Sequence, residues 1–291
     1  MKNCDPPANP LASVAGLCDI ETWRNRSWYW YAYLPFGVLL LALRLAVIFI
    51  FYGLSFITPA RVAPSLYKLE LKLLGLKIEA NGSREWIAKY TDGCVVAANH
   101  ISHLDALVTL SLPNVTALFG HPFSSMHTFI RILYVSALEL SQAGQWHVPD
   151  RRALVTRIQQ WRSNPSGTTL YTTPEMTLSN QRGLFKFNSA FLSFDLPVIP
   201  MALRVESHFG LNLNPINSSG ISNILRMLMM PRTVFQFTYL EKTERAQGES
   251  KDEFARRVQT TIANKLRVPA TEWTVADKHA YRKQLAEAQV G

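Results

Sequence analysis

The sequence predicts an α/β protein with a mostly parallel central sheet flanked by helices, preceded by an N-terminal membrane-embedded helical segment or hairpin. Three observations predict it. Short apolar runs that stop at polar turns, such as residues 94–98, alternate with stretches of helical period. Residues 34–57 are apolar over a length that suits a bilayer. With 291 residues, 48% of them hydrophobic, the chain can bury one large core with an appendage rather than two domains.

From the N-terminus, residues 1–22 lack periodicity and are rich in Pro, Asn and Ala, which reads as a mobile tail. Residues 23–60 form the membrane anchor. Trp23, Trp28, Tyr29, Trp30, Tyr31 and Tyr33, with Arg24 and Arg26 among them, make the aromatic and basic belt of a membrane–water interface. The apolar run behind them is too long for the core of a cleaved signal and starts too far in, so it is read as retained. As one helix it would be about 36 Å long, enough to cross a bilayer core of roughly 30 Å. Arg61, Lys68, Lys72 and Lys77 on the far side balance the cations before it, so charge sets no orientation. A single spanning helix and two short arms returning to the cytoplasmic face both fit. Arg44 lies deep in either arrangement, where an unpaired charge costs about 2.5 to 3.5 kcal/mol.

Residues 61–245 form the α/β domain. Thr58-Pro59 stops the apolar run, and Pro64-Ser65 opens a helix with Leu66, Leu69 and Leu73 on one face and Lys68 and Lys72 beside them; Gly75 ends it. That apolar face suits either the sheet or lipid headgroups. Residues 76–80 alternate as a strand closed by the turn dipeptide Asn81-Gly82, and residues 83–90 are helical. The strand 94–98 follows, then a polar turn at Asn99 and His100. A helix begins with Ser102 and Asp105 in its first turn and Leu104, Leu107, Val108 and Leu110 on its apolar side.

Strand end, turn and helix start are where open α/β sheets place ligands, because the loop is exposed while its flanks hold it still. His100 and Asp105 stand five positions apart, close enough to fold back into hydrogen-bond reach. A carboxylate bonded to one imidazole nitrogen leaves the other as an acceptor. His100 can then take a proton from a substrate hydroxyl near neutral pH, while Asp105 orients the ring. The spacing alone also fits a turn histidine that merely caps a helix or bonds a carbonyl.

Further strands are expected at 115–120, 135–140, 169–173, 196–203 and 233–240, with helices at 126–134, 150–161 and 218–230. Arg151, Arg152 and Arg157 fall on the wet face of the second of these helices. Residues 246–291 read as a helical extension packed on the domain. A helix over 248–267 opens on the capping box Ser250/Glu253 and buries Phe254, Val258, Ile262 and Leu266, and Thr274-x-x-Asp277 starts a last basic helix.

Lys and Arg outnumber Asp and Glu by 30 to 21, a formal charge of +9 that favours an anionic partner. With no zinc-finger spacing, aromatic RNA-binding string or strongly basic helix, nucleic acid is not expected; an anionic membrane surface is. Cys4, Cys18 and Cys94 are scattered and odd in number, as in reduced thiols on the cytoplasmic side.

The string Asn99-His100-Ile101-Ser102-His103-Leu104-Asp105 resembles the first motif of the glycerolipid and lysophospholipid acyltransferase family, Asn-His-x-Ser-x-x-Asp. Pro174, Glu175, Thr177 and Ser179 are similar to its third motif, Phe-Pro-Glu-Gly-Thr-Arg-Ser. Gly183-Leu184-Phe185-Lys186-Phe187, as a Lys-containing helix start, and the strand at 196–203 resemble its remaining features, and the whole resemblance covers residues 76–203. It implies catalysis by His100 and Asp105, with Asn99, Ser102, Pro174, Glu175, Thr177 and Lys186 binding substrate. It implies no metal and no cofactor, with acyl-CoA or acyl-carrier protein as co-substrate and membrane lipids and a lysolipid acceptor as partners.

Departures from the pattern bear on the acceptor. Ala137-Leu138-Glu139-Leu140 stands where the second motif commonly supplies an arginine, and the nearest cations are Arg151 and Arg152. Thr173, Met176 and Leu178 replace Phe, Gly and Arg of the third motif. Loss of the glycine restricts the backbone, and loss of the arginine removes a phosphate-binding fork, which argues against a bare phosphomonoester acceptor. Glu175 would accept from a glycerol or amine donor, or pair with Arg182 or Lys186 instead.

The C-terminal stretch is similar to the branch called ancient ubiquitous protein, membrane hairpin proteins of the endoplasmic reticulum and lipid droplets; its ubiquitin-related modules and role are not carried over. The resemblance implies a membrane-bound O-acyltransferase acting on a lysophospholipid or related glycerolipid hydroxyl. It would work at the cytoplasmic face of the endoplasmic reticulum, a lipid droplet or a bacterial inner membrane. The alternative is a catalytically inactive membrane adaptor that kept the fold. The chain has no Gly-x-Ser-x-Gly elbow for a serine hydrolase, although Ser102 keeps that option open, and His100, His103 and Asp105 lack the fuller zinc-protease pattern.

Overall fold

A computed structural model describes residues 13–23, 28–119, 127–147, 151–163, 168–192 and 195–288. Nine α-helices and seven strands are described, in the order α1 (Trp28–Ser55), α2 (Ala63–Leu73), β1 (Leu76–Ala80), α3 (Arg84–Thr91), β2 (Val95–Ala98), α4 (Asp105–Thr109), β3 (Val115–Phe119) and α5 (Thr128–Ser141). There follow β4 (Gly144–His147), α6 (Arg151–Arg162), β5 (Thr169–Thr172), β6 (Val198–Ser207), α7 (Gly220–Met229), β7 (Thr233–Tyr239), α8 (Lys251–Leu266) and α9 (Val275–Ala288).

The strands form one sheet in the order β1-β7-β6-β2-β5-β3-β4. Every pairing is parallel except β6 with β7, so β1 and β7 run against the other five. All four residues of β2 are buried, as a central strand covered on both faces requires. One face packs Val96 and Ala98 with Leu71 of α2, Leu133 and Ala137 of α5 and Ile224 and Met227 of α7. On the other face Val95 and Ala97 pack with Ile158 of α6 and Phe254, Val258 and Ile262 of α8. Each such Val, Leu, Ile, Met or Phe side chain, fully withdrawn from water, contributes roughly 1.5 to 3 kcal/mol.

The apolar segment is one continuous helix, not two arms. By length and composition α1 could cross a membrane, with a mean hydropathy of 2.5 in its most apolar window. It also docks on the domain: Trp30, Gly37, Arg44 and Phe51, at successive seven-residue steps, are buried against neighbours that include α5 and α7. Its remaining faces expose Phe36, Val38, Leu39, Leu43, Phe49 and Ile50. Arg44 is satisfied by carbonyls: Nε donates to Leu73 O, Nη1 to Leu228 O and Met230 O, and Nη2 to Pro231 O.

Other expectations are corrected. Residues 13–22, read as part of a mobile tail, are docked: Val14, Leu17 and Cys18 are buried with Phe185 and Ile216, and Asn180 N donates to Leu17 O. Residues 1–12 lie outside the described residues, as do Arg24 and Arg26 of the expected belt. The face of α2 turned inward carries Tyr67, Glu70 and Leu71, whereas Leu69 and Leu73 are exposed, because apolar neighbours on a helix do not say which side a sheet takes. The strand expected at 135–140 is the second half of α5, whose Tyr134, Ala137 and Leu138 continue one helical stripe. Lys186 starts no helix; its segment is irregular, tied by Lys186 N to Trp273 O.

Candidate active site

The end of β2 is fixed before the turn begins. Asn99 is buried and its side-chain amide clamps β6 in both directions, Nδ2 donating to Leu203 O at 2.9 Å and Oδ1 accepting from Leu203 N at 2.8 Å. The His100 backbone is then held at both ends. Its N–H donates to Glu175 Oε1 at 2.7 Å, and its carbonyl accepts from Ser179 N at 2.9 Å. The first and third motifs are therefore stitched together through main chain.

Asp105 opens α4 and is fully buried. Its Oδ2 accepts from Ile101 N at 2.6 Å, Ser102 N at 2.9 Å and His100 Nδ1 at 3.0 Å, and its Oδ1 accepts from Ser102 Oγ at 2.5 Å. These donors lock the orientation of the carboxylate. A carboxylate only accepts, so Nδ1 of His100 carries the proton and Nε2 is left as the acceptor. The His100 side chain is 25% exposed against 0% for Asp105: the base meets the cleft and its orienter does not.

His100 lines a cleft of about 380 Å³ together with His103, Met176, Thr177, Leu178, Asn214 and, from α9, Lys278, His279 and Arg282. Burial first, then the neighbouring His100, lowers the His103 pKa to about 4, so that ring is neutral at pH 7. Gly220 leaves room for it, since a Cβ there would lie 3.0 Å from Cε1 of His103. Asn214 Nδ2 ties the two loops by donating to Ile101 O and to Ser179 O. Lys278 Nζ donates to Leu178 O at 2.5 Å and stands over the Phe185 ring at 5.6 Å. Burial lowers the pKa of that amine, with Cys18 and Glu175 acting the other way.

The structure brings His100, Asp105, Asn99, Ser102, Glu175 and Thr177 into one constellation, in which His100 and Thr177 line the cleft and the others stand behind it. Ser102 spends its hydroxyl on Asp105 and is fully buried, which removes it as a nucleophile. Glu175 is buried and makes neither expected ion pair. Its oxygens brace His100 N and Phe185 N, while burial pushes its pKa up to about 8. Pro174 is buried, accepting from Asn188 N. Lys186 is absent from the lining of the cleft and pairs with Glu272 at 3.0 Å; Arg182 pairs with Asp19. Asn214 and the three α9 side chains were not singled out by sequence. Their only signal was the basic character of the last helix, because nothing local reveals that a helix so far downstream returns to the His100 turn. Among the described residues, no group of three His, Cys, Asp or Glu side chains is placed to hold a metal ion.

No protein-family model matches the chain. The zebrafish (Danio rerio) lipid droplet-regulating VLDL assembly factor AUP1 is 28% identical over 262 residues, 88% of this chain and 59% of that protein. Human AUP1 is 35% identical over 118 residues, 40% of this chain and 28% of that protein. Zebrafish glycerol-3-phosphate acyltransferase 3 is 25% identical over 182 residues, 62% of this chain and 40% of that protein. The chain thus spans about three fifths of the length of the AUP1 relatives it matches most fully. Among solved structures, the 1-acyl-sn-glycerophosphate acyltransferase PlsC of Thermotoga maritima superposes with a TM-score of 0.54 at 15% identity, covering 79% of this chain and 96% of that one. At that identity the likeness is one of fold.

Proposed function

We propose that this chain, an acyltransferase-like protein with the PlsC fold and sequence similarity to AUP1, is a membrane-bound O-acyltransferase. It moves a fatty acyl group from acyl-CoA or an acyl-carrier protein to the hydroxyl of a lysophospholipid or related glycerolipid. One observation carries the reading: the 3.0 Å contact between His100 Nδ1 and a fully buried Asp105, at the wall of an open cleft.

The chemistry follows from that pair. Nε2 of His100 takes the proton of the acceptor hydroxyl as its oxygen attacks the thioester carbonyl carbon. The C–O bond forms, the C–S bond breaks, and the imidazolium returns the proton to the departing thiolate. Asp105 stabilises the imidazolium between the two transfers. Neutral His103 adds no repelling charge beside it. Lys278 and Arg282 favour an acceptor with an anionic head, a role the Leu178 side chain cannot fill. The exposed apolar side chains of α1, with Leu69 and Leu73 of α2, support a site at a lipid surface, in keeping with the droplet role in the names of the AUP1 relatives.

The test is transfer of labelled acyl-CoA to a panel of lysolipids by the full chain in membranes. His100→Ala, checked for an unchanged melting temperature, is expected to lower turnover by about a hundredfold or more. Lys278→Met is expected to raise KM for phosphate-headed acceptors over monoacylglycerol. Turnover unchanged in His100→Ala refutes the assignment. A folded wild-type chain that acylates no lysolipid leaves the inactive adaptor, the reading that Met176 and Leu178 favour.

A further inference from the structure

A second and larger cleft, of about 740 Å³, lies beside the free edge of β1 and shares no lining residue with the His100 cleft. Its apolar wall is made by Leu71, Leu76, Ile78, Ala80, Ile87 and Leu112. Its lining includes Lys68, Lys72, Lys77, Arg84, Arg232 and the carbonyl-bound Arg44, and no Asp or Glu.

The cations are not all committed elsewhere. Lys77 pairs with Glu79 at 2.6 Å and Arg84 donates to Ser111 O at 2.8 Å. Among the described residues, Lys68, Lys72 and Arg232 have no ion-pair partner. Lys68 and Lys72 stand one turn apart on α2, a like-charge spacing that is unfavourable in a helix unless an anion neutralises it. The surroundings are apolar and exposed: Phe56, Ile57 and Val62 between α1 and α2, and Leu69 and Leu73 on α2 itself. A cationic rim, an apolar wall and exposed apolar side chains on α2 beside it together specify an amphiphile with a negative head.

We propose that this cleft binds one anionic phospholipid of the membrane, its phosphate on Lys68, Lys72 and Arg232 and an acyl chain along Leu71, Leu76, Ile78 and Ile87. The volume lies within the range of sites that enclose a small ligand. The site is separate from acyl transfer and holds whether or not the chain is an active enzyme.

The experiment is lipid binding to the full chain in detergent, read by native mass spectrometry with phosphatidic acid against phosphatidylcholine of the same acyl chains. The wild type is expected to retain one phosphatidic acid with about tenfold or greater preference, and Lys72→Glu with Arg232→Glu to erase that preference. Lys278→Met, which removes a cation of the His100 cleft, is expected to keep it, and that separates this cleft from the other. Both reversed side chains come from the rim, and an unchanged melting temperature shows that the fold survives; if the pair unfolds, Lys72→Gln alone is expected to lower the preference about threefold or more. Inorganic phosphate at millimolar concentration is expected not to compete. Equal retention of the two lipids overturns the proposal, as does a preference that survives the substitutions. Displacement by inorganic phosphate, or by an acidic extended peptide at the β1 edge in place of lipid, overturns it as well.

Discussion

A Cβ at Gly75 would stand 1.9 Å from Nη2 of Arg44, so the buried guanidinium fills the space that a side chain at Gly75 would need. Gly75 also sits at φ +74, in the left-handed region where an L side chain costs about 1 to 2 kcal/mol. The guanidinium it admits bonds carbonyls of α2, α7 and the approach to β7, and so fastens the middle of the apolar helix to the domain. Gly75→Ala is expected to cost at least about 2 kcal/mol, strain plus displaced hydrogen bonds. In an Arg44→Ala background the same change is expected to cost only the strain, so a double-mutant cycle by urea unfolding in detergent would be clearly non-additive.

Asp105 and His100 separate orientation from chemistry. Asp105→Asn keeps the volume but replaces one acceptor oxygen with a donor. That nitrogen would face either Ser102 Oγ or the N–H groups of Ile101 and Ser102. Both activity and stability are expected to fall, with kcat down by about a hundredfold or more and a melting temperature lower by several degrees. Asn99→Ala is expected to lower stability through the lost clamp on Leu203, with any loss of kcat following from it. Calorimetry beside initial rates separates the two patterns.

Met176 holds a glycine's place without being one. Its φ is +55 and its side chain is half exposed on the cleft, so the turn takes the left-handed conformation that favours glycine. Met176→Gly relieves left-handed strain of about 1 to 2 kcal/mol and gives back roughly half to unfolded-chain entropy. The expected net is a gain of about 0.5 to 1 kcal/mol, seen as a higher melting temperature, with the cleft more open to acceptor.

Much of this was legible because it is local. The strands at β1, β2, β3 and β7, the capping box of α8 and the His100–Asp105 pairing all follow from period, caps and spacing within a few residues. What escaped is non-local. Glu175 faces two backbone N–H groups rather than a substrate, because its turn lands on the His100 loop. Lys278 and Arg282 reach the cleft because Trp273, Tyr281 and Leu285 dock α9 on Val14, Leu17 and Cys18, a contact between the two ends of the chain that neither end discloses alone. The region from 135 to 140 misled for another reason: Val135, Ala137, Leu138 and Leu140 make a short apolar run whose period does not separate a strand from a buried helix, and tertiary packing decides.

Glu70 gives the fold a pH dependence that can be isolated. It is buried between α2 and α5, with Oε1 accepting from Ser136 Oγ at 3.4 Å and Oε2 without a partner, and burial pushes its pKa up to about 8. The folded state therefore holds this proton more tightly than the unfolded chain, where the value is 4.5. Its contribution to stability is complete below about pH 4.5 and is lost as pH rises through about 8. Glu70→Gln keeps the shape and cannot ionise. Its stability relative to wild type is expected to rise steadily between about pH 5 and pH 8, measured as the urea midpoint at each pH. Glu175, displaced in the same direction, is untouched in both proteins, so the difference between them reports Glu70 alone. A constant offset across that range would mean that Glu70 is ionised in the folded protein.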